Sequence, residues 1–564
     1  MLHSQTCQLP DFPRHTTLFT LMMLGLISIF LGGCERSSEL PSAEQPGGSS
    51  ATPQTAGEVT VTGIASEPAP TTIAWYPGSI EEAFSHARRS GQPLFLYWGA
   101  VWCPPCEQIK QTVFKHPGFL ALTRRFVPVF LDGDTERAQY WADHYIVSGY
   151  PTMVLFSPAG EELTRIPGGI ETQSYIDVFQ LALDSMQNTV ELLQFALESP
   201  QTLSAGEYTQ LAFYDWDQAN LPDNLAIQWD TYQRLANSAR AANNDLAASR
   251  LFFHSLATIL NEPGASGNSL TAAEKNQTRE ELLKILANQE QVLANIDFAS
   301  LSAHDFIPLL TEAGESRRQL TTAWTEAMDR VRFLPALSTA EQLATWYPQL
   351  YMYWINEPQA ERLPVATERA VLAHINEVDK TTLGNARQTV INKVYQVLQA
   401  AHLYDESRTV LLAELGKSHS PYYFMSGLAS LEEKLGNHAQ AVVWLERAYN
   451  ESTGSATRFQ WGVEYVDGMT RLSPHASEPI TRTAGMLLRE LDDPQDVLTG
   501  RNFGRLKTLV RAVRGWEKNH PVDPQDRSVL AIFYGELHSL CQAVAAGSVE
   551  SDHCRVIQKE FSSG

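Results

Sequence analysis

The chain has 564 residues, 43% hydrophobic and 19% charged, a composition that excludes a wholly disordered protein. Its length exceeds what one hydrophobic core supports, so more than one domain is expected. A formal net charge of −22, with no basic stripe, argues against a nucleic-acid partner, because phosphate binding needs clustered Lys and Arg.

Residues 1–33 read as an address. Arg14 and His15 precede an apolar run from Leu18 to Leu31, which is short for a membrane span and shaped like the core of a signal peptide. The run closes on Leu31-Gly32-Gly33-Cys34, which resembles a bacterial lipobox. That resemblance implies cleavage before Cys34, lipid on its thiol, and a membrane-anchored periplasmic protein, with Glu35 favouring the outer membrane. From 34 to 72 the chain is dominated by Ser, Pro, Gly, Ala, Thr and Glu, the composition of a flexible linker.

Residues 73–188 alternate helix-like and strand-like pieces, the pattern of a small α/β domain. Ile80, Ala83, Phe84 and Ala87 share one face of a helix over 80–90, which Gly91-Gln92-Pro93 ends. Residues 94–98 form an apolar run suited to a buried strand. A helix is expected over 104–116, strands over 126–131 and 152–156, a hairpin turn at Pro158-Ala159-Gly160, and a helix over 172–186.

Beyond residue 188 strand signals fade, and 189–564 reads as all-helical. Leu428, Ala429, Gly436, Ala441, Leu445 and Ala448 fit the small and large positions of a tetratricopeptide unit. One period of about 34 residues earlier come Ser407 and Leu411, and Pro421 takes the closing-proline position. A TPR-like array over about 390–490 is therefore expected. An irregular helical domain with one fortuitous repeat is the alternative. The aromatic run from Trp346 to Trp354 is read as the core face of a helix pair rather than a peptide groove.

With Cys7 leaving in the signal and Cys34 taking lipid, two pairs remain of the six cysteines. Cys541 and Cys554 flank a turn and read as a structural disulfide. The alternatives are a metal site with His538 and His553, or a thiol pair that serves the other pair as redox partner. Cys103 and Cys106, at i and i+3, open a helix straight after a buried strand. The helix dipole there stabilises a thiolate at Cys103, so Cys103 is the candidate nucleophile and Cys106 the resolving thiol. A static bridge or a zinc half-site is the plainer reading; zinc would want two further ligands, and His116 and His144 supply no pattern. A Cu(I) thiolate site is a third.

Trp102 before the first cysteine, Pro105 before the second, and Tyr150-Pro151-Thr152 downstream together resemble the thioredoxin superfamily, in particular periplasmic domains of the Dsb-reductant type. The resemblance covers residues 73–188 and implies a thioredoxin-like fold, a cis-proline at Pro151, and dithiol–disulfide exchange without a cofactor. It implies that Trp102, Tyr150 and Pro151 line a substrate groove, that Pro104 and Pro105 form the active-site loop, and that the partners are protein thiols or disulfides plus a redox partner protein. Two departures stand out. Tyr97 holds the place of the family's buried proton-accepting Asp, which Glu107 would replace only in part. Pro104 and Pro105 offer the Cys103 thiolate no N–H donor, which favours a reductase or isomerase over a strong oxidant. The competing reading is a helical-repeat adaptor whose thioredoxin-like domain docks peptides or senses redox state.

Overall fold

The computed structural model describes residues 70–562, apart from 101, 200–202, 220, 222–226, 262–269, 383, 419, 492–493, 521–522 and 546. The signal, Cys34 and most of the linker therefore lie outside the described residues. In the α/β part the elements run α1 (Ile80–Ser90), β1 (Leu94–Gly99), α2 (Pro104–Gln111), α3 (Pro117–Leu122), β2 (Val127–Asp132), α4 (Glu136–His144), β3 (Thr152–Phe156), β4 (Glu162–Ile166) and α5 (Thr172–Ser185).

The four strands form one sheet in the order β2-β1-β3-β4. β1 pairs parallel with β2 and antiparallel with β3, and β3 pairs antiparallel with β4. Every residue of β1 is buried, as its apolar sequence requires of a central strand covered on both faces. Phe95 packs edge-on against Phe119 of α3 and Phe179 of α5. α1 opens with a reciprocal Ser79–Glu82 capping box and stops at Gly91, whose φ of 71° a side chain would strain.

The expected helix over 104–116 ends early. Thr112 donates its hydroxyl to the Gln108 carbonyl at 2.8 Å, and Val113–Lys115 continue only as a 3-10 turn. The turn lets Pro117 start α3 as a separate helix. α4 is a helix that the sequence pattern does not announce. Its buried face holds small and polar residues, Ala138, Gln139 and Ala142, rather than an apolar stripe.

After α5 the described chain is helical to its end. The helices that reach the α/β part or fall within about 390–490 and beyond are α6 (Thr339–Ala344), α7 (Gly384–Ala400), α8 (Tyr404–Glu414), α9 (Tyr422–Lys434), α10 (His438–Glu451), α11 (Ser455–Leu472), α12 (Gly500–Asn519), α13 (Pro524–Ala543) and α14 (Val549–Ser562). Successive helices from α7 to α11 pack on one another. Gly427 of α9 lies where a Cβ would come within 2.9 Å of the Tyr395 ring and 3.0 Å of Leu411, so the three helices meet closely at that point. Gly436, at φ 76°, closes α9. Trp346, Tyr347, Leu350 and Met352 are buried. One apolar cluster runs without interruption from β1 through Trp102, Cys103 and Tyr150 into α9, α11 and α12. Sheet and helices thus share a core.

Candidate functional site

The turn after β1 places Cys103 as the N-cap of α2, its sulfur accepting from the Cys106 N–H at 3.3 Å. Pro104 and Pro105 fill the first two helical positions, where a missing N–H costs nothing. Cys103 and Cys106 are joined as a disulfide with a Cα separation of 5.3 Å. Because Trp98 pairs with Thr152 across β1 and β3, the residue just before β3 lies at the end of β1. That residue is Pro151, and the Tyr150–Pro151 bond is cis. The cysteines and the proline therefore come from two neighbouring strand ends, which fixes their relative placement.

The departure at Tyr97 has a structural role. Its hydroxyl donates to the Cys106 carbonyl at 3.1 Å. Burial, with Glu107 and Tyr175 nearby, holds this phenol well above its usual range. It stays protonated and cannot accept a proton from Cys106. Glu107 instead lies 3.3 Å from Lys110 and accepts from Gln111.

Trp102 and Tyr150, expected as groove walls, are both covered. Trp102 is 4% and Tyr150 2% exposed, and Cys103 is 1% exposed. The cover comes from the helical region. Tyr423 of α9 stacks on Trp102 with ring centroids 5.9 Å apart and planes 22° from parallel. Trp461 of α11 meets Tyr423 edge-on at 5.0 Å. The Arg501 guanidinium of α12 sits 4.2 Å from the Trp102 ring and 5.7 Å from the Tyr150 ring. The Trp102 indole N–H donates to Asp134, whose other oxygen accepts from Thr457 of α11 at 2.9 Å. Burial raises the Asp134 carboxyl above its usual range, although Arg501 works the other way. On the far side of α2, Gln108 donates to Ser338, the N-cap of α6, at 3.0 Å.

α4 clamps this arrangement. Gln139 donates to the Tyr150 hydroxyl at 3.0 Å and accepts from the backbone N–H of Arg501 at 2.8 Å. None of Asp134, Gln139, Tyr423, Thr457 or Arg501 stands out in the sequence.

The remaining candidates lie elsewhere. Cys541 and Cys554 are joined, with a Cα separation of 5.5 Å, and tie α13 to α14. His553 is not turned to them: its Nδ1 lies 2.7 Å from the Leu498 carbonyl and its ring stacks on Phe503 at 3.8 Å. His116 caps α3 by accepting from Gly118, and His144 packs on Trp141 and Tyr145. Neither histidine joins Cys103 and Cys106.

Comparison with known proteins agrees with this geometry. Residues 80–182 match the family described as thioredoxin-like domain. The chain is 30% identical over 99 residues to thiol:disulfide interchange protein DsbD 1 of Pseudomonas aeruginosa, which is 17% of this chain and 17% of that protein. It is 28% identical over 104 residues to DsbD of Pseudomonas fluorescens, 18% of each. A solved structure described as DsbH oxidoreductase is 20% identical, covers 23% of this chain and 95% of its own, and has a TM-score of 0.19. The chain thus spans less than a fifth of the length of the curated relatives it matches.

Proposed function

We propose that this chain, whose residues 80–182 form a thioredoxin-like domain, is a thiol–disulfide oxidoreductase acting on protein substrates in the periplasm from a lipid anchor at Cys34. The observation that carries the reading is the Cys103–Cys106 disulfide at the start of α2, which follows the strand end that lies beside Pro151. In the reduced enzyme the Cys103 thiolate attacks one sulfur of a substrate disulfide and releases the other as a thiolate. The Cys106 thiolate then attacks Cys103, closes the Cys103–Cys106 bond and frees the second substrate thiol. Two electrons pass to the substrate, and a partner dithiol protein restores the pair. No cofactor takes part.

The direction favoured is reduction or isomerisation. Pro104 and Pro105 withhold two N–H donors from the thiolate, and Tyr97 replaces a proton acceptor with a phenol that keeps its proton. The helical region, TPR-like over about 390–490, recruits the partner or holds the client. Insulin reduction by the full chain, compared with Cys103→Ser, tests the activity; equal rates would sink it. A reduction potential near the ~−120 mV of strong periplasmic oxidants would contradict the direction.

One observation favours a second reading, the redox-sensing adaptor. Cys103, Trp102 and Tyr150 all lie beneath α9, α11 and α12. In that reading the redox state of the pair sets how firmly those helices hold, and the insulin assay returns no activity above the mutant.

A further inference from the structure

The wall that covers Trp102 holds polar groups with no partner. Nε and Nη2 of Arg501, the same two atoms of Arg505, and the Tyr423 hydroxyl are closed off from solvent and make no hydrogen bond. Arg501 is 5% exposed. Arg505 stands one turn further along α12, its Nη1 3.7 Å from Glu464.

In both arginines the orphaned atoms are Nε and Nη2, the edge of a guanidinium that grips a carboxylate through two parallel bonds. The same edge is filled elsewhere in the chain, where Arg165 Nε and Nη2 donate to Glu162 at 3.0 and 2.9 Å. Around Arg501 the nearby acids are engaged or held back. Asp134 already takes Trp102 and Thr457. Glu464 faces Nη1 of Arg505 rather than its open edge, and burial pushes its carboxyl up. A buried charged donor without an acceptor is costly, so two such edges and a free phenol side by side mark a place for an anion that arrives from outside.

We propose that Arg501 and Arg505, with the Tyr423 hydroxyl, form an anion subsite of the redox groove that takes a carboxylate carried by the disulfide substrate. The inference rests on exchange at Cys103 and adds what the substrate is recognised by. Location supports a substrate group over an unrelated ion. The Arg501 guanidinium lies against the rings of Trp102 and Tyr150, and those two residues directly precede Cys103 and Pro151. An anion held there is at the groove. Entry requires the Tyr423–Trp102 stack to part, and filling the two open edges offsets the loss of that contact.

The carboxylate has two sources, an acidic side chain of a protein client or a small carboxylated disulfide. The test uses the reduced full chain and follows oxidation of Cys103 and Cys106. One arm compares dithiodipropionate with neutral bis(2-hydroxyethyl) disulfide. The other compares disulfide-linked peptides bearing Glu or Gln beside the cysteine. The expected result is a carboxylate preference of about tenfold or more in at least one arm, and that arm names the source. The preference, read as a ratio within each variant, falls in Arg501→Gln and Arg505→Gln and is partly kept in Arg501→Lys. A ratio near one in both arms for the wild type overturns the subsite.

A second measurement needs no exchange. Acetyl-Ser-Glu-amide and acetyl-Ser-Gln-amide are titrated into the oxidised full chain by calorimetry. Heat from the acidic peptide alone, absent in Arg501→Gln, supports the subsite; equal heats or none overturn it for an acidic side chain, and dithiodipropionate gives the same reading for a small anion. Binding without exchange overturns the oxidoreductase reading and leaves the subsite standing.

Discussion

Thr457 Oγ1 donates to Asp134 Oδ1 at 2.9 Å and joins residues 323 apart in the chain. Because the same carboxyl holds the Trp102 indole, the bond ties α11 to the residue beside Cys103. With Tyr423 stacked on Trp102, it covers the Cys103–Cys106 pair. The consequence is kinetic: thiol reagents reach Cys103 only when these contacts part. In the reduced chain, Tyr423→Ala should raise the rate of Cys103 alkylation by iodoacetamide several-fold and cost roughly 3 kcal/mol of stability, as loss of a buried aromatic does. Thr457→Val should do the same more weakly, at about 1 kcal/mol. Alkylation rates unchanged in both variants, with lowered stability, would show that the helices leave the thiol open.

Tyr97 makes a separate claim on the site. Its hydroxyl supports the Cys106 carbonyl, and its raised pKa, caused first by burial, bars it from taking a proton. Tyr97→Phe should therefore leave the shape of the pH–rate profile for exchange unchanged and lower stability by about 1 kcal/mol, the worth of one buried hydrogen bond. A shift in the profile would make the phenol part of the proton path. Tyr97→Asp, by contrast, places a carboxylate under Cys106 and should accelerate the resolving step at neutral pH.

How far the sequence reveals this protein depends on whether a signal is local. β1 declares itself because a central strand needs apolar residues on both faces. The Trp102-to-Cys106 motif declares itself because its chemistry is confined to one helical turn. α4 has no such mark, since its buried Gln139 serves Tyr150 and Arg501 rather than an apolar core. Thr112 ends α2 through a hydroxyl that is equally at home inside a helix. The cover over the groove is the least legible part. Tyr423, Thr457 and Arg501 lie on three different helices, and only packing across hundreds of residues brings them to Trp102.

The bridge between Cys541 and Cys554 joins α13 to α14 and lies far from Cys103 in sequence. α14 in turn packs on α12, with His553 against Phe503. Replacing both cysteines by Ser should lower stability by about 2–3 kcal/mol, through the loop entropy that the short bridged segment no longer loses in the unfolded chain. Exchange at Cys103 should continue at temperatures where the variant is folded. Loss of exchange in a folded double variant would instead make the second pair a relay.

Asp143 gives the contact between α4 and α12 a pH dependence. Burial raises its carboxyl to about 6, while a backbone bond from Gly500 and the charges of His553 and Lys507 act in the opposite direction. Its folded pKa lies above the unfolded value of 3.8, so the folded chain binds more protons than the unfolded one between those two values. The group's contribution is most favourable below about 4 and is lost as pH rises towards 6. Asp143→Asn removes that term. Urea unfolding at pH 4.5 and at pH 7 should therefore show the wild type losing on the order of 1–2 kcal/mol more than the variant over this interval. A variant that loses as much as the wild type would mean that Asp143 is ionised at the contact throughout.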